Sequence, residues 1–523
     1  MTMTVSQVVK RSASAWSDKT NWESVLRDAY EFALPMRNQY EQKQKGAPKM
    51  DRVFDATAIN STQRFGARMQ AGLTPPFQDW ADLEPGPLVP KAIEAEVRAK
   101  LQAIKAQLFA AIHVSNFASA SAEYFLDLAA GTAAMLVMEG DDNQPIMFNC
   151  VPNVEIAIDE GPFGTVDGVF RRFELKVRNI KRQWKDATVP EELTIKESDD
   201  DPERTVRLIE ATYYDIDQDD YVYQVIWKEA GDDSKGAETE LVNRRFADHP
   251  WIITRWIKAP GEVWGRGPLL MALPDIKTLN KVKELVLKNA SLAIAGVWAA
   301  ADDGVINTNT IKITPGAVIP VAAQGNLQPL EIGGRFDVAQ LVISDLRDAI
   351  KTMLFDRSLP PETGGVRSAT EIIQKVKELQ QDIGAPFGRM MAELVRPLIQ
   401  RCLSILHRKG ILEQEVKVNG LGVAITVTSP LARLQSLNDL EAVVQWLQVS
   451  AGVTGQQGVG VGAKIEDVTA WIGAKLGVPQ ELIRTPEERK KLQQIAGQAA
   501  AAGAEIPIGQ PANDGGGSIP IAA

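Results

Sequence analysis

At 523 residues and a net charge of −10, with 45% hydrophobic and 24% charged residues, the chain reads as a soluble protein of roughly three or four domain-sized regions. Its acidity speaks against a surface that grips nucleic acid tightly over a broad area. Two cysteines 252 positions apart, Cys150 and Cys402, exclude a disulfide framework and fit a reducing compartment. The first thirty residues are polar and lack the apolar core of a secretory signal. The longest apolar run, Ala290 to Ala301, stops at Asp302, short of the ~20 residues a membrane helix needs, so no membrane partner is expected.

Residues 5–34 read as a helix ended by Pro35, with Thr20-Asn-Trp-Glu23 as a capping-box pattern. A segment Met50 to Ala58 leads to a helix near 58–72. Adjacent Pro75 and Pro76 then force an extended turn before Trp80. Residues 91–130, rich in Ala, Leu, Lys and Glu, read as one helical stretch with Gly131 as its stop. From Ala133 to Trp256 the texture changes. Pro145–Val151, Gly168–Leu175 and Tyr221–Trp227 are β-branched or aromatic and turn-bounded, so they read as strands of a largely antiparallel sheet. Asp199–Glu203 and Gly231–Gly236 are polar loops between them.

The stretch Ala259-Pro-Gly-Glu-Val-Trp-Gly-Arg-Gly-Pro268 can continue neither strand nor helix and turns the chain. A helix beginning near Pro274 follows. Leu279, Val282, Val286, Asn289 and Ala293 form a mostly apolar stripe on it, and Lys277, Lys281, Glu284 and Lys288 form a charged row at the same spacing. Between Arg266 and Trp298, five cations (Arg266, Lys277, Lys281, Lys283, Lys288) stand against Asp275 and Glu284. A basic helix in an acidic chain is either a solvated face or a contact for a polyanion. Residues 302–334 are irregular with short strands, and a second helix spans about Asp337 to Phe355, with Leu341, Asp345, Asp348 and Thr352 on adjacent turns. A breaker-rich loop then precedes Ser368-Ala-Thr-Glu371, which caps a long helix to about Arg408 that Gly384-Ala-Pro386 should kink. Lys417–Thr428 is strand-like, 436–448 and 464–495 are helical, and the Ala-, Gly- and Pro-rich final residues read as disordered.

Catalytic chemistry is hard to find. Gly452–Gly462 carries five glycines but ends without the Gly-Lys-Ser/Thr of a phosphate-binding loop. Asp215-Ile-Asp-Gln-Asp-Asp220 imitates the start of a calcium loop, yet Asp220 stands where the sharp turn needs Gly and Ile226 where the bidentate Glu belongs. His113, His249 and His407 are scattered without metal-ligand spacing. No catalytic residues, metal ligands or cofactor are expected, and the chain is read as not an enzyme.

Several features nevertheless occur in a telling order: Leu34-Pro35, Phe54-Asp-Ala-Thr-Ala58, Leu73-Thr-Pro-Pro76 with Trp80, a β-rich middle, Val263-Trp-Gly-Arg-Gly-Pro268, Leu273-Pro-Asp-Ile-Lys277, and Arg367-Ser-Ala-Thr-Glu371. Over most of residues 5–450 this resembles the portal, or head-to-tail connector, proteins of short-tailed phages. The resemblance implies an α+β, mainly α, portal-type fold with wing, stem, clip and crown regions, assembled as a closed ring, usually a dodecamer, at one capsid vertex. The wing would be 1–258, with its β-rich part at 133–256. The lead-in loop and first stem helix would be 259–296, the clip 297–335, the second stem helix 336–358 and the tunnel loop 359–367. The wing return would be 368–450, the crown 451–495 and a disordered tail 496–523. The implied partners are further copies of the chain, double-stranded DNA passing through, the terminase motor, scaffold and major capsid proteins, and tail adaptors. The implied location is the virion, with the host cytoplasm during assembly. Lys277, Lys281 and Lys288 are the DNA-channel candidates; Pro360, Gly364, Gly365 and Arg367 are the tunnel-loop candidates. The alternative is another ring-forming virion protein, such as a tail adaptor, in which the same catalytic motifs would be missing.

Overall fold

The computed structural model describes residues 3–40, 46–193, 203–228, 238–295, 297–300, 327–330, 336–356, 384, 386–414, 416, 418, 420–429, 442–453, 468 and 471–473. The expected tunnel loop 359–367, most of the clip and crown, and the 496–523 tail lie outside the described residues. The chain divides into two compact units, Met1–Pro430 and Leu431–Ala523. In the second, the main described element is a helix over 442–453, which runs past the expected end at 448 and through Gly452. The first unit mixes helices and strands, with helix the larger share among the described residues.

Helix α1 (Val5–Ala33) occupies the expected span, but its cap lies elsewhere. Thr4 Oγ1 accepts from the Gln7 amide at 3.4 Å, and Gln7 Oε1 accepts from the Thr4 amide at 2.9 Å, a reciprocal capping box. Thr20 is four turns inside the helix, where its hydroxyl donates to the Trp16 carbonyl at 3.2 Å instead of capping anything. Helix α2 (Thr57–Leu73) matches the expected second helix. The stretch expected as one helix over 91–130 is two, α3 (Glu94–Val114) and α4 (Phe117–Ala130). They break at Ser115-Asn116 because the Asn116 amide binds across to Phe148, accepting from its N–H at 3.0 Å and donating to its C=O at 2.7 Å. Gly131 does end α4, at φ +124°.

The β-rich middle forms two sheets, not one. Strands β2 (Thr132–Glu139), β3 (Ile146–Val151) and β9 (Trp251–Arg255) make a three-stranded sheet in the order β3-β2-β9. Strands β4 (Ile156–Glu160), β5 (Val166–Lys176), β6 (Thr205–Asp215), β7 (Asp220–Lys228) and β8 (Glu238–Phe246) make a five-stranded antiparallel meander. Alternation along β6 and β7 divides the meander's side chains between two cores. On one face Ala211, Tyr213, Val222 and Ile226 pack with Val8 and Ala15 of α1. On the other, Leu208, Tyr223, Val225 and Trp227 pack with Val177, Ile180 and Trp184 from the short helix α5 (Val177–Gln183) and its exit. A third cluster, Leu136, Val151, Ile158, Val169, Trp251 and Trp264, welds the two sheets together.

Charge locks α1 to the sheets. Arg11 binds Asp159 at 2.6 Å and Asp167 at 2.5 Å. Lys19, fully buried, donates to the carbonyls of Asn153, Val154 and Ile156 and lies over the Trp16 ring. Three acceptors around one amine call for three N–H donors, which only the ammonium form has. One further strand escapes sequence reading: β1 (Ala81–Pro85), just after the Pro-Pro turn, pairs antiparallel with β14 (Val423–Val427), inside the stretch expected as a strand, across more than three hundred residues. Helix α8 (Arg396–Arg408) buries Leu398, Ile399, Cys402, Leu403, Ile405 and Leu406. It is preceded by a π-turn at Met391–Val395, and Glu393 in that turn accepts from the Arg255 guanidinium at 2.7 Å and from the Arg255 amide at 2.8 Å.

The Trp-Gly-Arg-Gly-Pro stretch is a clasp. Gly265 and Arg266 form β11, paired with Ile257–Lys258 (β10). A side chain built on Gly131 would stand 2.2 Å from the Gly265 carbonyl oxygen; on Gly265, 2.3 Å from the Gly131 oxygen; on Gly267, 2.1 Å from the Ala129 oxygen. The end of α4 and the start of the next helix thus meet backbone to backbone, and only hydrogen side chains fit. Gly131→Ala, strained in φ as well as blocked, should lower stability by at least ~3 kcal/mol. Gly261→Ala, at φ +75° with open space around it, should cost about 1 kcal/mol. Thermal unfolding of the two variants side by side tests the contrast, and equal losses would contradict the clasp.

Candidate functional site

Beyond the clasp runs α6 (Pro268–Ala295). It begins six residues before the expected Pro274, because Pro268 has the preset φ and missing N–H suited to a first helical position. Pro274 is absorbed inside the helix. Leu269, Ala272, Leu273, Ile276 and Leu279 are buried and give α6 its core-facing side. Past residue 280 that burial fades. Val282 and Val286 are half-buried, Asn289 is exposed, and Leu285 and Leu287 are each 48% exposed. A short antiparallel pair, β12 (Val297–Ala300) with β13 (Leu327–Leu330), follows. Helix α7 (Phe336–Met353) then returns alongside α6. It buries Ile343 and Ile350 but leaves Leu341 73% exposed.

Polar nodes anchor this hairpin at its base. Asn280, nearly buried, accepts from the Phe54 amide at 2.7 Å and donates to the Arg52 carbonyl at 2.8 Å. One residue on, Asp55 accepts from the Thr57 amide at 2.9 Å, in a local turn leading into α2, and from Arg347 of α7 at 2.6 Å. Burial by itself raises the Asp55 carboxyl, but the hydrogen bonds from Thr57 and Arg347 outweigh it and hold its pKa below the ordinary value. The Phe54-Asp-Ala-Thr-Ala58 segment therefore ties both hairpin helices to α2. At the far end of α7, the buried Asp356 carboxylate accepts from Ser61 at 2.9 Å and Arg64 at 3.2 Å, with Arg68 at 3.7 Å. Phe355, at φ +55°, packs its ring on Phe65 and Trp256.

Lys277, Lys281 and Lys288 lie exposed on the side of α6 away from the core, as their spacing requires. None stands alone. Lys277 pairs with Asp28 of α1 at 2.6 Å, while Lys281 and Lys288 share Glu284 at 3.0 and 2.6 Å. Hydrogen bonds from Lys288 and Lys281 hold the Glu284 carboxyl below its ordinary range. Exposed pairs of this kind contribute about 0.2–1 kcal/mol each, so their main effect is to leave the row close to neutral. Lys283, half-buried above Leu279 and Asn280, makes no ion pair among the described residues. Pro360, Gly364, Gly365 and Arg367 lie outside the described residues.

Sequence reading missed Asn280, Asp55, Arg347 and Asp356, which hold the hairpin in place. Only Asp55 gave a signal: an Asp side chain commonly accepts from the backbone amide two residues on, as Asp55 does from Thr57 at the start of α2. Among the described residues no group of three or more His, Cys, Asp or Glu could hold a metal, and no helix is long and apolar enough to cross a membrane. Cys402 is buried, and burial pushes its thiol pKa up to about 12.

Residues 5–483 match the model of the bacteriophage head to tail connecting protein family. The chain is 23% identical over 467 residues to the probable portal protein of Bordetella phage BPP-1, covering 84% of this chain and 81% of that one. It is likewise 23% identical over 555 residues to the portal protein of Salmonella phage epsilon15, covering 95% and 94%. Among solved structures it is similar to a chain in the virion of a native gene transfer agent particle, at 10% identity and a TM-score of 0.33, covering 76% of this chain and 86% of that one; a score that low says nothing about architecture. The family match spans most of the molecule, including the clasp and the hairpin: the chain belongs to the bacteriophage head to tail connecting protein family.

Proposed function

We propose that copies of this portal protein close into a ring, a dodecamer, at one capsid vertex. In this reading α6 and α7 form the stem that walls the channel for double-stranded DNA during packaging and ejection. The observation that carries it is the hairpin's asymmetry. Its base is pinned by Asn280, Asp55, Arg347 and Asp356, while its outer half presents Leu285, Leu287 and Leu341 exposed in the single chain beside a row of lysines. A helix of 28 residues is about 42 Å long, enough for a channel wall. Repeated head to tail around an axis, such hairpins would cover one another's leucines and leave the charged rows toward the lumen.

The lysine pairing suits passage better than grip. Every phosphate that a cation neutralises strengthens attachment. A lysine already held by Asp28 or Glu284 must exchange partners to contact DNA, so the wall can centre the duplex without holding it. In this reading residues 1–258 and 368–450 are the wing, 297–335 the clip facing motor and tail, 359–367 the tunnel loop and 451–495 the crown. The role is structural, and the terminase motor supplies the energy. Scaffold, major capsid and tail adaptor proteins would meet the ring's outer surfaces, in the host cytoplasm during assembly and in the virion afterwards.

Negative-stain microscopy with rotational averaging should show rings with a hole wide enough for duplex DNA, and Leu285→Asp with Leu287→Asp should shift the protein to folded single chains. Rings that survive both substitutions would remove this hairpin from the subunit contact. Lys277→Ala, Lys281→Ala and Lys288→Ala together should leave rings intact but alter DNA packaging or retention in assembled heads; unchanged packaging and retention would place the row away from the duplex. Gly364→Ala with Gly365→Ala, by restricting the backbone states the loop can visit, should impair packaging or retention without blocking ring assembly. Wild-type levels of both would show that the loop's backbone freedom plays no part in packaging or retention.

A further inference from the structure

One buried arginine joins three segments that are far apart in sequence. Arg255, 2% exposed at the end of β9, donates from Nη1 to the Val263 carbonyl at 3.4 Å and from Nη2 to the Gly164 carbonyl at 2.8 Å. Val263 leads into the clasp, and Gly164 lies in the turn between β4 and β5. The third segment is the π-turn before α8. Glu393 Oε1 accepts from Arg255 Nη2 at 2.7 Å, and Oε2 accepts from the Arg255 amide at 2.8 Å and from Nε at 3.4 Å. Gly265 of the clasp packs on the same residue: a Cβ added there would stand 2.9 Å from the Arg255 Cβ. A planar guanidinium fork fixes direction as well as distance, so the three segments are held in one arrangement.

The π-turn is an element with two registers open to it. The Arg396 amide donates to the Met391 carbonyl, five residues back instead of four. Pro397 gives the reason. It has no N–H for the Glu393 carbonyl, and in a regular α-helix its ring would press on that same carbonyl. Closing the turn to the α register would move the segment on its N-terminal side by about 1.5 Å and rotate it by about 100°. Glu393 would be carried off its line to Arg255, and Phe387 and Met390, both buried, would leave their packing.

We infer that Arg255 and Glu393 form a latch between the π-turn and the clasp, so that the register of the helix entering α8 and the direction in which α6 leaves the body change together. A tilt of α6 pulls on Gly265 and Val263, which both bear on Arg255. Arg255 can follow only by releasing Glu393 or by drawing the π-turn with it. In the other direction, closing the π-turn withdraws the carboxylate that holds the arginine against the clasp. Arg389 also donates to Glu393 Oε1, at 3.1 Å, but it lies one turn away on the same helix and carries nothing to the clasp. The coupling is a property of the single chain and holds whether or not α6 lines a channel.

Amide hydrogen exchange of the full-length protein, read by mass spectrometry, tests the latch from both ends. Glu393→Gln keeps the size of the side chain and removes its charge. Exchange should rise about fivefold or more at Gly265 and Met271–Leu273 as well as across 391–396, with the β6 and β7 amides unchanged. Thr132→Val removes the acceptor of the Gly265 amide at the clasp. It should raise exchange across 391–396 by a similar factor, because coupling between two sites is reciprocal. Unchanged exchange at the far site in either variant overturns the inference and leaves the Arg255–Glu393 pair a local prop. A rise that extends through β6 and β7 overturns it as well, since general loosening would then account for the effect.

Discussion

Three glycines that tolerate no side chain set the frame of this molecule. Where Gly131, Gly265 and Gly267 meet, the chain turns from α4 into β2 and, more than a hundred residues later, from β11 into α6, with no room between the backbones for a Cβ. Hydrogen bonds close the contact: the Gly265 amide donates to Thr132 Oγ1 at 2.8 Å, and the Trp256 amide to the Gly131 carbonyl at 2.8 Å. The direction in which α6 leaves the body is thereby fixed by backbone geometry, which a helix of 28 residues then projects over tens of ångströms. A small change of tilt at the clasp would grow along the helix toward the hairpin tip.

A long projecting hairpin also needs its root held against torque, and that task falls to buried polar groups more than to apolar area. Asp356 gathers Ser61, Arg64 and Arg68; Asp55 joins the start of α2 to α7; Asn280 satisfies the backbone of the segment between. Such nodes cost more to break than their hydrogen bonds are worth, because each leaves a buried donor or acceptor unsatisfied. They specify one arrangement where a greasy contact would permit several. The same economy recurs at Glu393, held in a π-turn by Arg255, and at Asp127, which accepts from Tyr30 at 2.7 Å and Arg37 at 2.5 Å.

Periodicity and breakers made much of this visible from sequence. The helix over 5–34, the stop at Gly131, the strands around 146–151, 166–176 and 220–228, and the two hairpin helices follow from local rules that apply wherever the residues sit. What stayed hidden is long-range. Nothing in Ala81–Pro85 announces a partner at Val423–Val427, and nothing in the 91–130 composition marks Ser115-Asn116 as the place where an amide side chain would capture a strand. The capping box was misplaced because Thr20-x-x-Glu23 and Thr4-x-x-Gln7 carry the same pattern, and only the true helix start decides between them. The glycines of 265–267 were legible as a turn but not as a clasp, since their partner, Gly131, lies in another element. The exposed side of the lysine row follows from its helical spacing, and Glu284 sits within it, but its other neutralising partner, Asp28, lies 249 residues away.

Those separations govern how the chain comes into being. Helix α1 is synthesised first, but Arg11 waits for Asp159, Lys19 for the carbonyls around Ile156, and Asp28 for Lys277. At roughly 5–20 residues per second on the ribosome, Lys277 follows Asp28 by some 12 to 50 s. Until the strands carrying Ala157 to Ile226 emerge, Val8 and Ala15 have nothing to cover them, and an amphipathic helix in that condition is a natural client for a holding chaperone. The N-terminal segment that ends as a brace of the finished body is, while the body is being made, exposed until its partners in the sheets and in α6 emerge.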